Sequence, residues 1–202
     1  MTSEKKNFER ELPEGYRLAK HLDAREARFG IIFNLIAMGV MLTVVGLSLI
    51  PLYVSRNGAC VFCGLVNNMT PILVIVGMVL YTVLHELVHG IAYKARTGEK
   101  LTFGLSWSCA FCGVPKIYTY RRTALIAVLA PFVVFSLLLG ALTVALFFIS
   151  VPLYFVSVLV LGLHLGGCAG DLYVTILLLF KFKDKGTLMR DTGPEQFFYV
   201  PE

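Results

Sequence analysis

His85-Glu86-Leu87-Val88-His89 sets two imidazoles four residues apart with a carboxylate beside them, a spacing that suits metal chemistry. On a helix, residues i and i+4 share a face, so both rings reach one metal ion while Glu86 points alongside, where it can hold a water. The setting sharpens the point. Between Pro71 and Ala95 the only side chains charged at neutral pH are Glu86 and Lys94. Ionisable groups at membrane depth are costly unless they are paired or bind something. The bland alternative is a set of polar residues hydrogen-bonding helices together. An intact metal-binding pattern where such residues are normally excluded favours zinc hydrolysis within the bilayer.

The elements that position these residues are spans. Of the 202 residues, 57% are hydrophobic and only 15% charged, and the mean hydropathy is +0.75. That profile fits a polytopic membrane protein and excludes an ordinary soluble domain. Four stretches reach the roughly 20 apolar residues that a hydrocarbon core requires: Gly30–Val54, Pro71–Ala95, Thr123–Ile149 and Val151–Phe180. Ser150 followed by Pro152 suits a tight turn and a fresh helix start between the last two. Pro131 inside the third span frees a carbonyl that a neighbour must satisfy. The first 29 residues are densely charged and do not read as a cleavable signal peptide. That segment carries seven Lys/Arg, the stretch Lys94–Arg122 six and the C-terminal tail four, whereas the loop between spans one and two carries only Arg56. The positive-inside rule then places both termini and the central loop in the cytoplasm. The net charge of +5 is thus a topology signal, and no nucleic-acid partner is expected.

A catalytic zinc takes three protein ligands and leaves one position open. Of the four histidines, His21 lies in the polar N-terminal segment and reads as solvated. His164 and Asp171, both in span four, remain as candidates. At about 1.5 Å per residue, His85 and His89 lie roughly 15 and 9 Å from the cytoplasmic end of their span, and Asp171 roughly 14 Å from the end of its own. His164 lies about 10 Å further out, so Asp171 is the expected ligand unless the helix breaks. His164 faces nearly the same way, as a hydrogen-bond donor behind the ligands, an oxyanion stabiliser or the lining of a wet cavity. Gly162, Gly166 and Gly170, with Gly167, are expected to let span four pack closely on span two.

These residues carry a resemblance. His85-Glu86-Leu87-Val88-His89-Gly90 and the later Gly170-Asp171 resemble the intramembrane site-2 proteases, whose metal is held by two motif histidines and an aspartate from a later helix. The chain also resembles a family of bacterial membrane proteins described as putative zincin peptidases. That likeness extends to Leu12-Pro13-Glu14-Gly15-Tyr16, the Cys109–Cys112 loop leading into Tyr120, Gly170-Asp171-Leu172, Asp191-Thr192-Gly193 and Phe198-Tyr199-Val200. Span four departs from the site-2 protease pattern in having no Asn-Pro before the aspartate, and no asparagine at all. The oxyanion-stabilising group is therefore unassigned.

From Leu101 to Phe111 the odd positions read Leu, Phe, Leu, Trp, Cys, Phe and the even ones Thr, Gly, Ser, Ser, Ala. Such alternation predicts a strand with one apolar face. A second strand is expected around Val114–Tyr120, with Cys112-Gly113 near the turn. Site-2 proteases have a membrane-associated hairpin at the comparable place, and an extended substrate can add to such an edge; Trp107, Cys109 and Phe111 are the candidate residues of that loop. A small hairpin resting on the membrane surface is an equally good reading. Cys60-x-x-Cys63 and Cys109-x-x-Cys112 flank span two and fall on opposite membrane faces. The outer pair suits a disulfide and the inner pair reduced thiols or a local metal clip, with an inert or structural role ahead of a redox switch. Cys168 reads as a small packing residue.

The sequence thus predicts an all-α integral membrane protein of four transmembrane helices, with a small cytoplasmic β-hairpin after the second. Residues 1–29 form a cytoplasmic segment, 30–180 a metallopeptidase domain and 181–202 a cytoplasmic tail, in the cell membrane. The expected activity is a Zn2+-dependent endopeptidase with His85, His89 and Asp171 as ligands and Glu86 as general base. Its partners are the lipid bilayer and a membrane-protein or peptide substrate. The alternatives are a non-catalytic zinc-binding membrane protein, structural or sensing, and a metal transport component. Glu86, which is not a ligand, argues for catalysis, and the spans offer few further ligands for a transport path.

Overall fold

The computed structural model describes residues 6–55, 68–106 and 110–202. The chain order is β1 (Phe8–Glu9), β2 (Tyr16–Asp23), α1 (Ala27–Ser55), α2 (Thr70–Thr97), β3 (Thr102–Leu105), β4 (Ala110–Gly113), β5 (Tyr118–Tyr120), α3 (Arg121–Ile149), α4 (Val151–Gly167), α5 (Ala169–Ile176), a π-helical turn (Leu177–Lys181), β6 (Leu188–Asp191) and β7 (Glu195–Pro201). Four helical stretches are long and apolar enough to cross a membrane: Ala27–Ser55, Thr70–Thr97, Arg121–Ile149 and Val151–Lys181. Each matches an expected span to within a few residues. Large apolar side chains such as Ile31, Leu35, Leu42, Ile75, Val79 and Leu137 stand exposed on them. That surface is consistent with a multi-pass membrane protein, because hydrocarbon rather than water covers it favourably.

The expectation of an all-α fold needs correction. The N-terminal segment, the central loop and the C-terminal tail join in a five-stranded antiparallel sheet, in the order β1-β5-β6-β7-β2. β2 runs antiparallel to β7, from Tyr16 opposite Pro201 to Asp23 opposite Glu195, with an irregularity between Leu18 and Lys20. Pairing between residues more than 170 positions apart leaves no local trace, and β2, the longest strand, breaks its apolar–polar alternation at Leu18-Ala19, where its register shifts. The hairpin after α2 exists, but with a different register. β3 pairs with β4, Gly104 opposite Phe111 and Leu105 opposite Ala110, and Cys112 and Gly113 are themselves paired within β4 rather than forming the turn. The second strand expected near 114–120 survives only as β5, which joins the larger sheet between β1 and β6.

The chain forms two compact units. One comprises residues 1–30, 85–131 and 171–202 and contains both sheets. Its larger core gathers Leu22, Ala124, Val128, Val174, Leu178, Phe182, Met189 and Phe198, with the Phe182 and Phe198 rings stacked 4.9 Å apart. A second cluster holds Tyr93, Val114, Ile117 and Ala127. The π-helical turn closes with the Phe182 N–H donating to the Leu177 carbonyl at 2.8 Å, and Arg121 Nε donates to the Leu178 carbonyl at 2.6 Å.

The other unit comprises residues 31–84 and 132–170. The expected packing of its glycines on α2 needs correction: Gly162 and Gly166 lie on α1, against Met41 and Ala37, and a Cβ at Gly170 would meet nothing within 4 Å. A Cβ at position 166 would come within 2.5 Å of the Ala37 carbonyl oxygen, whereas one at 167 would meet nothing within 4 Å. Contact with α2 is made from that helix's own glycine, Gly77, on which Val160 packs. Gly166→Ala is therefore expected to destabilise the protein by about 1–3 kcal/mol through overpacking, and Gly167→Ala to leave stability nearly unchanged. Thermal unfolding of both variants in detergent checks this.

Candidate metal centre

α2 presents His85 and His89 on one face, their rings edge to face at 4.9 Å between centroids, and both are buried. The third group comes from a helix start. α4 ends at Gly167, with Cys168 as its cap, and α5 begins at Ala169, so Asp171 sits in the first turn of a new helix. Its Oδ2 lies 3.2 Å from His85 Nε2 and 3.5 Å from His89 Nε2. The three candidate ligand atoms all fall within 4.8 Å of one another. Four-coordinate zinc with bonds of roughly 2.0–2.1 Å separates its ligand atoms by about 3.3–3.4 Å, so these residues fit the ion in both type and spacing.

One candidate ligand is oriented from behind. His89 Nδ1 lies 2.8 Å from the Ala127 carbonyl oxygen, which makes Nδ1 the protonated nitrogen and leaves the Nε2 lone pair for a metal. That carbonyl is available for a reason legible in the chain. Its helical partner is the N–H four residues on, and that residue is Pro131, inside α3, which has none. The proline frees the acceptor that the histidine uses.

The hairpin closes on the same turn of α2. A Cβ at Gly90 would lie 2.8 Å from the Phe103 ring and 3.0 Å from a Leu101 methyl, so the glycine after His89 is what lets β3 approach. On β4, the Cys112 backbone stands beside the Glu86 carboxylate. Phe111 lies over two glycines: a Cβ at Gly104 or at Gly193 would come within 2.3 Å of its ring. Gly193, at φ +101°, occupies a backbone region that also favours glycine. The Phe111 ring is thus packed between β3 and the β6–β7 turn, while Phe103 is exposed. Trp107 and Cys109, the other residues expected to line a substrate strand, lie outside the described residues, as do Cys60 and Cys63. Cys112 is a buried free thiol, pushed up to about 12 by burial and by the Asp191 and Glu86 carboxylates, which makes it a poor nucleophile.

Two residues that the sequence reading gave no role stand close behind. Tyr93 continues the His85–His89 face by one more turn, and its hydroxyl donates to Asp191 Oδ2 at 2.7 Å. Asp191 Oδ1 accepts the Gly193 N–H at 2.9 Å, and its carbonyl accepts the Val114 N–H at 2.8 Å. Burial pushes its carboxyl up to about 6 against the opposing pull of those donors. The i, i+4, i+8 spacing could have flagged Tyr93; its partner 98 residues away has no local signal. His164 lies in the other unit and is fully buried. Its Nδ1 is 3.0 Å from the Tyr81 hydroxyl and its Nε2 3.0 Å from Ser136 Oγ, so two hydroxyls meet the demands of an imidazole in an apolar helix. Cys168 Sγ is 3.6 Å from the same Nδ1.

Residues 78–185, just over half of the chain, match the family model described as "Putative zincin peptidase". No curated protein and no solved structure matches the chain.

Pro131→Ala restores an N–H that claims the Ala127 carbonyl. Zinc affinity is expected to fall about 10–100-fold, and the His89 15N signals to move away from a pure Nδ1–H tautomer. Unchanged affinity and an unchanged tautomer would contradict the linkage.

Proposed function

The chain belongs to the putative zincin peptidase family, and from that premise we propose that it is a zinc-dependent, membrane-embedded endopeptidase arranged like the site-2 proteases. The observation that carries the reading is the convergence of His85 Nε2, His89 Nε2 and Asp171 Oδ2 at zinc-ligand spacing, with the non-ligand carboxylate of Glu86 next to the first histidine. His85, His89 and Asp171 would hold the ion. When bound, zinc acidifies water and polarises the scissile carbonyl.

Glu86 accepts a proton from the attacking water as the water oxygen bonds to the carbonyl carbon. It then delivers that proton to the amide nitrogen as the C–N bond breaks. His89 keeps its nitrogen aimed because its other nitrogen is tied to the Ala127 carbonyl. A substrate must be extended to expose its peptide bond, and the β3–β4 hairpin, with the Cys112 backbone beside Glu86, offers an edge on which it can add as a strand. The charge distribution of the sequence supports a cell-membrane protein with both termini and this hairpin on the cytoplasmic side. A glutamate that is not a ligand favours catalysis over a structural or sensing site.

In full-length protein reconstituted with a membrane-peptide substrate, Glu86→Gln is expected to lower cleavage by about 10²–10⁴-fold, with zinc content unchanged. Cleavage at the wild-type rate by that variant would refute the assigned role.

A further inference from the structure

A cleft of about 410 Å³ opens at the start of α3, lined among others by Lys6, Arg121, Arg122, Lys185, Thr123 and Leu125. The four cations come from three distant parts of the chain: the stretch before β1, the first turn of α3 and the link before β6. Main-chain bonds hold them together, since the Tyr120 N–H donates to the Asn7 carbonyl at 3.1 Å and the Arg121 N–H to the Thr187 carbonyl at 2.9 Å. Convergence of like charges is unfavourable unless something neutralises them.

The nearby carboxylates do so only in part. Glu9 is occupied by Lys6 at 2.6 Å and by the Tyr120 hydroxyl at 2.6 Å. Asp184 turns its Oδ1 to the Gly186 N–H. Arg121 spends Nε on the Leu178 carbonyl, leaving its terminal nitrogens. Among the described residues Arg122 and Lys185 make no ion pair, and both are exposed. The positive end of a 29-residue helix begins at the same place, which adds to the attraction for an anion.

The surroundings narrow the ligand class. Guanidinium and ammonium donors converging with a helix start suit the several oxygens of a phosphate. Leu125, one turn into the helix, gives the cleft an apolar wall. α3 is long and apolar enough to cross a membrane, and the first turn of such a helix lies at the level of lipid phosphates. We propose that this cleft is a binding site for a phosphate group, presented by an anionic phospholipid or free in solution. The proposal does not rest on the metal centre or on peptidase activity.

The test follows thermal unfolding of the full-length protein in detergent with added phosphatidylglycerol, phosphatidylcholine or inorganic phosphate. Arg122→Gln/Lys185→Gln removes two cleft charges; Arg17→Gln/Lys116→Gln removes the same charge from exposed positions elsewhere. In wild type, phosphatidylglycerol is expected to raise the midpoint more than phosphatidylcholine does. The cleft variant should need at least about tenfold more of it for the same shift, and the control variant should respond as wild type does. An unchanged midpoint of the cleft variant in phosphatidylcholine shows that it folds; if the double variant does not fold, Lys185→Gln alone is read the same way. A response to inorganic phosphate, lost in the cleft variant, assigns the free anion as a ligand; a response to phosphatidylglycerol alone assigns the lipid. Equal shifts with both lipids and no response to phosphate overturn the proposal, as does an equal loss in the control variant.

Discussion

The hydrogen bond from His89 Nδ1 to the Ala127 carbonyl is the interaction on which the centre depends. It exists because Pro131 cannot donate to that carbonyl. A proline in a helix would ordinarily leave an orphan acceptor, costly in an apolar setting. Here the orphan is taken by an imidazole whose Nε2 is thereby left with its lone pair, the form that metal binding through that nitrogen requires. One contact answers both demands, and it couples α3 to the motif helix at the level of the candidate ligands.

Around that contact, the absence of side chains matters as much as their presence. Gly90 admits the hairpin to the turn after His89, and Gly104 and Gly193 make room for Phe111. Asp191 then ties the β6–β7 turn to α2 through Tyr93 and to the end of β4 through Val114. The five-stranded sheet carries no candidate ligand, yet it anchors the start of α3 through Asn7 and Thr187. The polar ends of the helices are held by strands drawn from both ends of the chain.

Much of this was legible from the sequence, and the exceptions have physical causes. The His85–His89 pair follows from helical periodicity and Asp171 from depth, and the geometry brings all three together. The freed carbonyl below Pro131 was foreseeable, but its acceptance of His89 was not, because it is a tertiary contact between residues 38 apart. The hairpin was visible in the alternation from 101 to 111, yet alternation continues unchanged through a reversal, so the register was missed. The large sheet was invisible because its pairings are long-range. The glycine seam of span four was recognised as a packing surface, but spacing alone does not say which helix fills it, and for Gly162 and Gly166 the answer is α1.

The most direct measurement is X-ray absorption at the zinc edge on the purified protein, beside zinc content of His85→Ala and Asp171→Ala. About one zinc per chain is expected, with two imidazole nitrogens and at least one oxygen at roughly 2.0–2.2 Å, and loss of the metal in both variants. A zinc shell containing sulfur, or full occupancy in Asp171→Ala, would contradict that ligand set.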